Sequence, residues 1–209
     1  MPTLLSAARA ILAALALTAI GWQLMLHVGA SYSLLNFFSY FTNLSNLFAV
    51  VVLLLGAFRR PSQHSDRQDV ARYVSAVNMA VVGIVFVALL RNVDLGALLP
   101  WVNVVLHYVM PVAIVVDWVW LQAPASPLKA RHLALALVFP AVYLVYVLLR
   151  GAAIGWYPYP FLDPANVGGY GGVALYAAGI FGTFLGAGWA LLALASSGIL
   201  QRPRRHALR

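Results

Sequence analysis

Six apolar runs, each near the length that crosses a hydrocarbon core, leave this chain few ways to fold. They lie near 5–27, 37–58, 70–91, 100–121, 131–150 and 171–198, and a membrane-spanning helix needs about 20 such residues. Of 209 residues, 63% are hydrophobic and 9% charged, so too little polar chain remains for a second domain. The expectation is an all-α polytopic membrane protein, one six-helix domain over 1–209. The runs lack the ten-residue alternation of an outer-membrane barrel.

The net charge of +8 suggests a nucleic-acid partner until the charges are placed. Arg9, Arg59, Arg60, Arg67, Arg72, Lys129, Arg131, Arg202, Arg204, Arg205 and Arg209 fall in alternate hydrophilic segments, and only Arg91 and Arg150 in the others. Eleven against two is the asymmetry of six spans with both termini cytoplasmic. The basic residues then orient the chain and meet anionic headgroups. No nucleic acid is expected. The first run, from Ile11 to Leu26 after Arg9, also resembles a secretory signal with a small-residue site at Val28-Gly29-Ala30. Its length and the even span count favour an uncleaved helix.

No cysteine is present, which excludes disulfides, thiolate metal sites and a cysteine nucleophile. His64, His132 and His206 show no metal-ligand spacing. A haem held by His27 and His107 fails because the two lie at different depths. No metal or cofactor is expected.

Polar and ionisable residues inside a bilayer are costly and mark function by default. Thr42 and His107 stand out on that ground. With a rise of about 1.5 Å per residue, Thr42 falls roughly 8 Å and His107 roughly 9 Å below the outer surface, level with each other. Helical rotation gathers Asn36, Ser39, Thr42, Asn43 and Asn46 on one third of the second helix. It also aligns Asn103, His107 and Pro111 on the fourth. Pro111 lacks an N–H and is expected to kink that helix and free the His107 carbonyl. A hydroxyl beside an imidazole suits acyl transfer through a covalent intermediate. Ser39, Asn43, Asn46 or Asn103 would steady the oxyanion. Asp117, ten residues beyond His107, is about 15 Å away. It is expected near the cytoplasmic end, paired with Asn78 or a basic loop residue. The bland alternative is that Thr42 bonds the carbonyl of Phe38, as helical threonines do.

The segment Gly155-Trp156-Tyr157-Pro158-Tyr159-Pro160-Phe161-Leu162-Asp163-Pro164 is too rich in proline for a regular helix. It is either an interfacial aromatic anchor or a cover over a site to which Trp156 and Tyr159 contribute. Gly182 and Gly186 in the last run have the small-xxx-small spacing of close helix packing, which allows a homo-oligomer.

Thr42 after its aromatic run, Asn103-x-x-x-His107-x-x-x-Pro111, and Trp156-x-x-Tyr159-Pro160-Phe161-Leu162-Asp163 occur in an order and topology that resemble the androgen-induced-protein family and its small bacterial six-span relatives. The resemblance covers most of the chain. It implies an intramembrane threonine hydrolase of fatty acid esters of hydroxy fatty acids, with Thr42 as nucleophile and His107 as general base. Asn43-Leu44-Ser45-Asn46 and Asp117-Trp118 look typical of the bacterial branch. The sequence thus predicts a hydrolase of a lipid ester, with a membrane lipid as partner and a site in the outer leaflet. The rival is a non-enzymatic transporter or lipid-binding protein using the same polar groups. A transport path needs such groups at successive depths, whereas here they cluster outward and Asp117 stands alone.

Overall fold

The computed structural model describes residues 2–58, 65–93, 98–121, 124 and 128–196. It holds six helices long and apolar enough to cross a membrane. They are α1 (Pro2–Gly29), α2 (Phe41–Phe58), α3 (Asp66–Leu90), α4 (Pro100–Leu121), α5 (Ala130–Ile154) and α6 (Tyr170–Ser196). Among the described residues there is no strand. Arg59-Arg60-Pro61, His64, residues 197–198 of the last run and the basic tail lie outside them.

The most buried helix is α3, which touches α2, α4, α5 and α6. α1 lies along α2, to which it turns Ala13, Ala16 and Ala19, all fully buried. Side chains on the outer faces are apolar and large, with Leu149 at 70% and Leu175 at 75% exposure. Lipid tails tolerate such a surface and water does not.

Two helix starts depart from the expected ones for local polar reasons. α3 begins at Asp66 rather than near 70, because Ser65 caps it, accepting from the Gln68 N–H at 3.4 Å, with Asp66 and Asp69 in the first turn. A cap and acidic residues suit the positive end of a helix, whatever their hydropathy. The second run does not continue from 37 as one helix. A single turn, Leu34–Phe37, is followed by a break, and α2 starts at Phe41. Ser39 Oγ donates to the Leu35 carbonyl at 2.6 Å and Asn43 Nδ2 to the Phe37 carbonyl at 2.8 Å. From α5, Tyr143 Oη donates to the Ser39 carbonyl at 2.8 Å. Side chains thus take the backbone groups that a continuous helix would have paired.

Pro111 is accommodated by a π-helical turn, Val105–Val109, placed just before it. A wider turn relieves the clash that a proline imposes on the preceding α-turn. α3 ends in another π-turn, Phe86–Leu90, and α4 in a third, Asp117–Leu121.

The ends of the bundle differ in chemistry. At one end the 155–169 loop folds over the helices, with a single 3-10 turn at Pro160–Leu162. Phe161 and Leu162 from this loop pack with Phe86, Leu90, Tyr143, Val147 and Val173. A Cβ on Gly172 would collide with the backbone carbonyl of Val167. Gly172→Ala should therefore cost about 1–3 kcal/mol, seen as a lower melting temperature in detergent.

At the other end Asp117 is far from isolated, which corrects the sequence reading. Arg9 meets it through Nε at 2.7 Å and Nη2 at 3.1 Å, and Arg72 through Nε at 3.3 Å and Nη2 at 3.1 Å. Arg72 also bonds the Asp117 carbonyl at 2.9 Å and Asp69 at 3.4 Å. Arg9 and Arg72 are buried interior residues rather than surface charges, because each sits on the inward face of its helix opposite Asp117. Neither Asn78 nor a loop residue is the partner.

Candidate functional site

Breaking the second run at 38–40 moves Thr42 from the second turn of the expected helix to the first turn of α2. It stands there at the positive end of the helix dipole. On α4, His107 occupies the middle of the π-turn Val105–Val109. Such turns occur often at functional sites. The two side chains meet: Thr42 Oγ1 lies 3.3 Å from His107 Nε2. Both residues are buried, and Thr42 has turned to the imidazole and to Tyr159.

A carbonyl orients the imidazole. His107 Nδ1 is 3.3 Å from the Asn103 carbonyl, which can only accept, so Nδ1 carries the proton. In a neutral ring Nε2 is then the acceptor, and the Thr42 hydroxyl donates to it. Phe86 stacks on the imidazole at 4.1 Å between centroids, fixing its plane. Asp117, the carboxylate a triad would want, is occupied by Arg9 and Arg72.

Tyr159 reaches in from the 155–169 loop. Its hydroxyl accepts from the Thr42 backbone N–H at 3.3 Å and lies 3.4 Å from Thr42 Oγ1. Burial pushes its phenol up to about 12. The phenol therefore stays protonated at any ordinary pH and keeps a proton to donate beside the Thr42 oxygen.

Other expected donors point elsewhere. Ser39 spends its hydroxyl on Leu35 and shares it with Tyr146 Oη at 2.9 Å. Asn43 bonds Phe37. Asn46 Nδ2 bonds the carbonyls of Thr42 at 2.9 Å and Leu106 at 3.2 Å, tying α2 to α4. Asn103 contributes its carbonyl, while its side-chain oxygen is buried without a protein partner. Ser39, Asn43 and Asn46 build the frame around Thr42 and His107, each bonding a backbone carbonyl near the helix break or the π-turn. Trp156 stands at the rim, edge-on to Tyr40 and beneath the Arg150 guanidinium at 5.2 Å. Arg150 Nη2 in turn donates to Asn36 Oδ1 at 2.6 Å.

Two cavities meet at this point, and Thr42, Leu90, His107 and Tyr159 line both. One runs among α3, α5 and α6 with almost wholly apolar walls, including Val82, Leu144 and Phe184. The other has partly polar walls that include Gln23, His27, Asn36 and Asn43. Among the described residues no three His, Asp or Glu side chains are grouped to hold a metal.

The sequence pattern missed the contributions of Phe86 and Tyr143. Phe86 carries no signal among other apolar residues. Tyr143 does, since a phenol deep in an apolar helix requires a hydrogen-bond partner. No known family, no curated protein and no solved structure gives a match to this chain.

Proposed function

We propose that this chain is an integral membrane hydrolase that cleaves the ester bond of a lipid of the fatty acid ester class. The reading includes both termini on the cytoplasmic side of a bacterial cytoplasmic membrane, with the 155–169 loop facing outward. After Arg9 and Arg72 are withdrawn as interior residues, nine basic residues still stand on the terminal side against two. It is also the activity that the resemblance to the androgen-induced-protein family implies.

The observation that carries it is the ordered series Thr42, His107 and Asn103 where an apolar and a polar cavity join. The ester carbonyl sits at Thr42 with its acyl chain in the apolar cavity and its alcohol portion in the polar one. His107 Nε2 takes the Thr42 proton as Oγ1 attacks the carbonyl carbon. Tyr159 Oη–H donates to the oxyanion at the N-terminus of α2. Collapse breaks the ester C–O bond, and the leaving alcohol takes the proton from His107. Water then gives a proton to His107 and attacks the acyl-threonine, freeing the acid and returning the proton to Thr42. The balance is one ester and one water to one acid and one alcohol.

Purified protein should hydrolyse a fluorogenic long-chain acyl ester in vesicles, and His107→Asn should slow it by about 10²–10⁴-fold. No turnover by the wild type would contradict the proposal. Tyr159→Phe should lower kcat by about 10²-fold with little change in KM, measured on the same ester.

A second reading draws on buried polar atoms between the site and the Asp117 cluster. Asn46 Oδ1, Ser75 Oγ and both amide atoms of Asn78 have no protein partner. Polar groups at successive depths are what a transport path presents. Asn78→Ala separates the readings, leaving ester turnover unchanged under the first and abolishing solute or proton flux into proteoliposomes under the second.

A further inference from the structure

The apolar cavity borders a crevice on the outside of the bundle. α3 and α6 are locked together at the Asp117 end, where Tyr73 Oη donates to the Gly188 carbonyl at 3.0 Å. A Cβ on Gly188 would also run into Leu133 of α5. Trp118 Nε1 of α4 donates to the Leu191 carbonyl of α6 at 3.3 Å. Toward the loop end the packing lapses, and a Cβ on Gly179 or Gly182 would meet no atom within 4 Å. Between the helices lies a crevice with Ala88 and Leu89 on one wall and Leu175 and Gly179 on the other. Val85 and Ile180 line both this crevice and the apolar cavity that ends at Thr42 and His107. Val85 and Ile180 thus stand between the crevice and the apolar cavity.

From this continuity we infer that the α3–α6 crevice is the lateral portal through which the acyl chain of a membrane lipid reaches Thr42. The inference rests on the proposed hydrolase for its substrate, but the route is a property of the cavities. The crevice lies on the surface of two apolar spanning helices, so lipid tails are the molecules that meet it. Val85 and Ile180 have only to change rotamer to admit a chain. Ala88 and Gly179 leave room for it, and large residues there would close the passage.

The test uses full-length Thr42→Ala in vesicles containing a palmitoyl ester with a mid-chain diazirine, so that no turnover is needed. On illumination, adducts should map to Val82 and Phe184 inside the cavity as well as to the exposed Leu149. In Thr42→Ala with Gly179→Trp, or with Ala88→Phe, the interior adducts should fall by about tenfold, with Leu149 labelling unchanged. Interior adducts that persist in both filled variants would overturn the portal, as would adducts confined to the outer surface of the parent. A second copy of the chain covering the crevice would appear as Gly179 protected from the probe, and would also overturn it. With Thr42 restored, interior labelling without ester turnover would refute the hydrolase and leave the portal standing.

Discussion

Thr42→Ala should reduce ester turnover by roughly 10⁴-fold or more, while Thr42→Ser retains measurable activity. Alanine removes the attacking oxygen, and the 3.3 Å contact to His107 goes with it. Serine keeps the hydroxyl at the start of α2 and gives up only a methyl group. Melting temperatures should be similar for the three proteins, because the polar cavity beside His107 lets water satisfy the nitrogen that alanine leaves. Turnover of a fluorogenic acyl ester, measured beside thermal unfolding, separates loss of chemistry from loss of fold. Equal turnover by wild type and alanine variant would remove Thr42 from the reaction.

Asp117→Ala should cost about 3–5 kcal/mol of stability, a larger structural effect than any substitution at the site. Two guanidiniums, Arg9 and Arg72, converge on this one carboxylate in the interior, and alanine leaves both charges without it. Breaking a buried pair by removing one partner is far more damaging than replacing all members with apolar groups of similar size. The combination Arg9→Met, Arg72→Met and Asp117→Leu should therefore recover much of the loss. Thermal unfolding in detergent checks both, and a single variant as stable as wild type would mean that the cluster is dispensable.

The six long apolar helices and the meeting of Thr42 with His107 could be read from the sequence because they follow from the length of the apolar runs and from helical rise. Polar groups defeated the same arithmetic wherever they act on the backbone. Ser39 and Asn43 have unremarkable hydropathy for the second run, yet their bonds to Leu35 and Phe37 end one helix and begin another. That break places Thr42 beside first-turn amides, a consequence invisible in a continuous 37–58 helix. Pro111 signalled a disturbance near His107, but a proline does not specify whether a kink or a π-turn will absorb it. Arg9 and Arg72 were misplaced because charge counting assigns a residue to a segment and says nothing of which way it faces. Asp117 was the available clue, since a lone carboxylate in a span requires a cation.

The most direct measurement is the site of covalent modification. Purified wild-type protein, reacted with a fluorophosphonate in detergent and digested, should carry one phosphonate adduct on Thr42 by peptide mass mapping. Labelling should fall sharply in His107→Asn, because the hydroxyl loses its base. An adduct on another residue, or none on Thr42 under conditions in which the protein hydrolyses ester, would contradict the assignment of Thr42 as nucleophile.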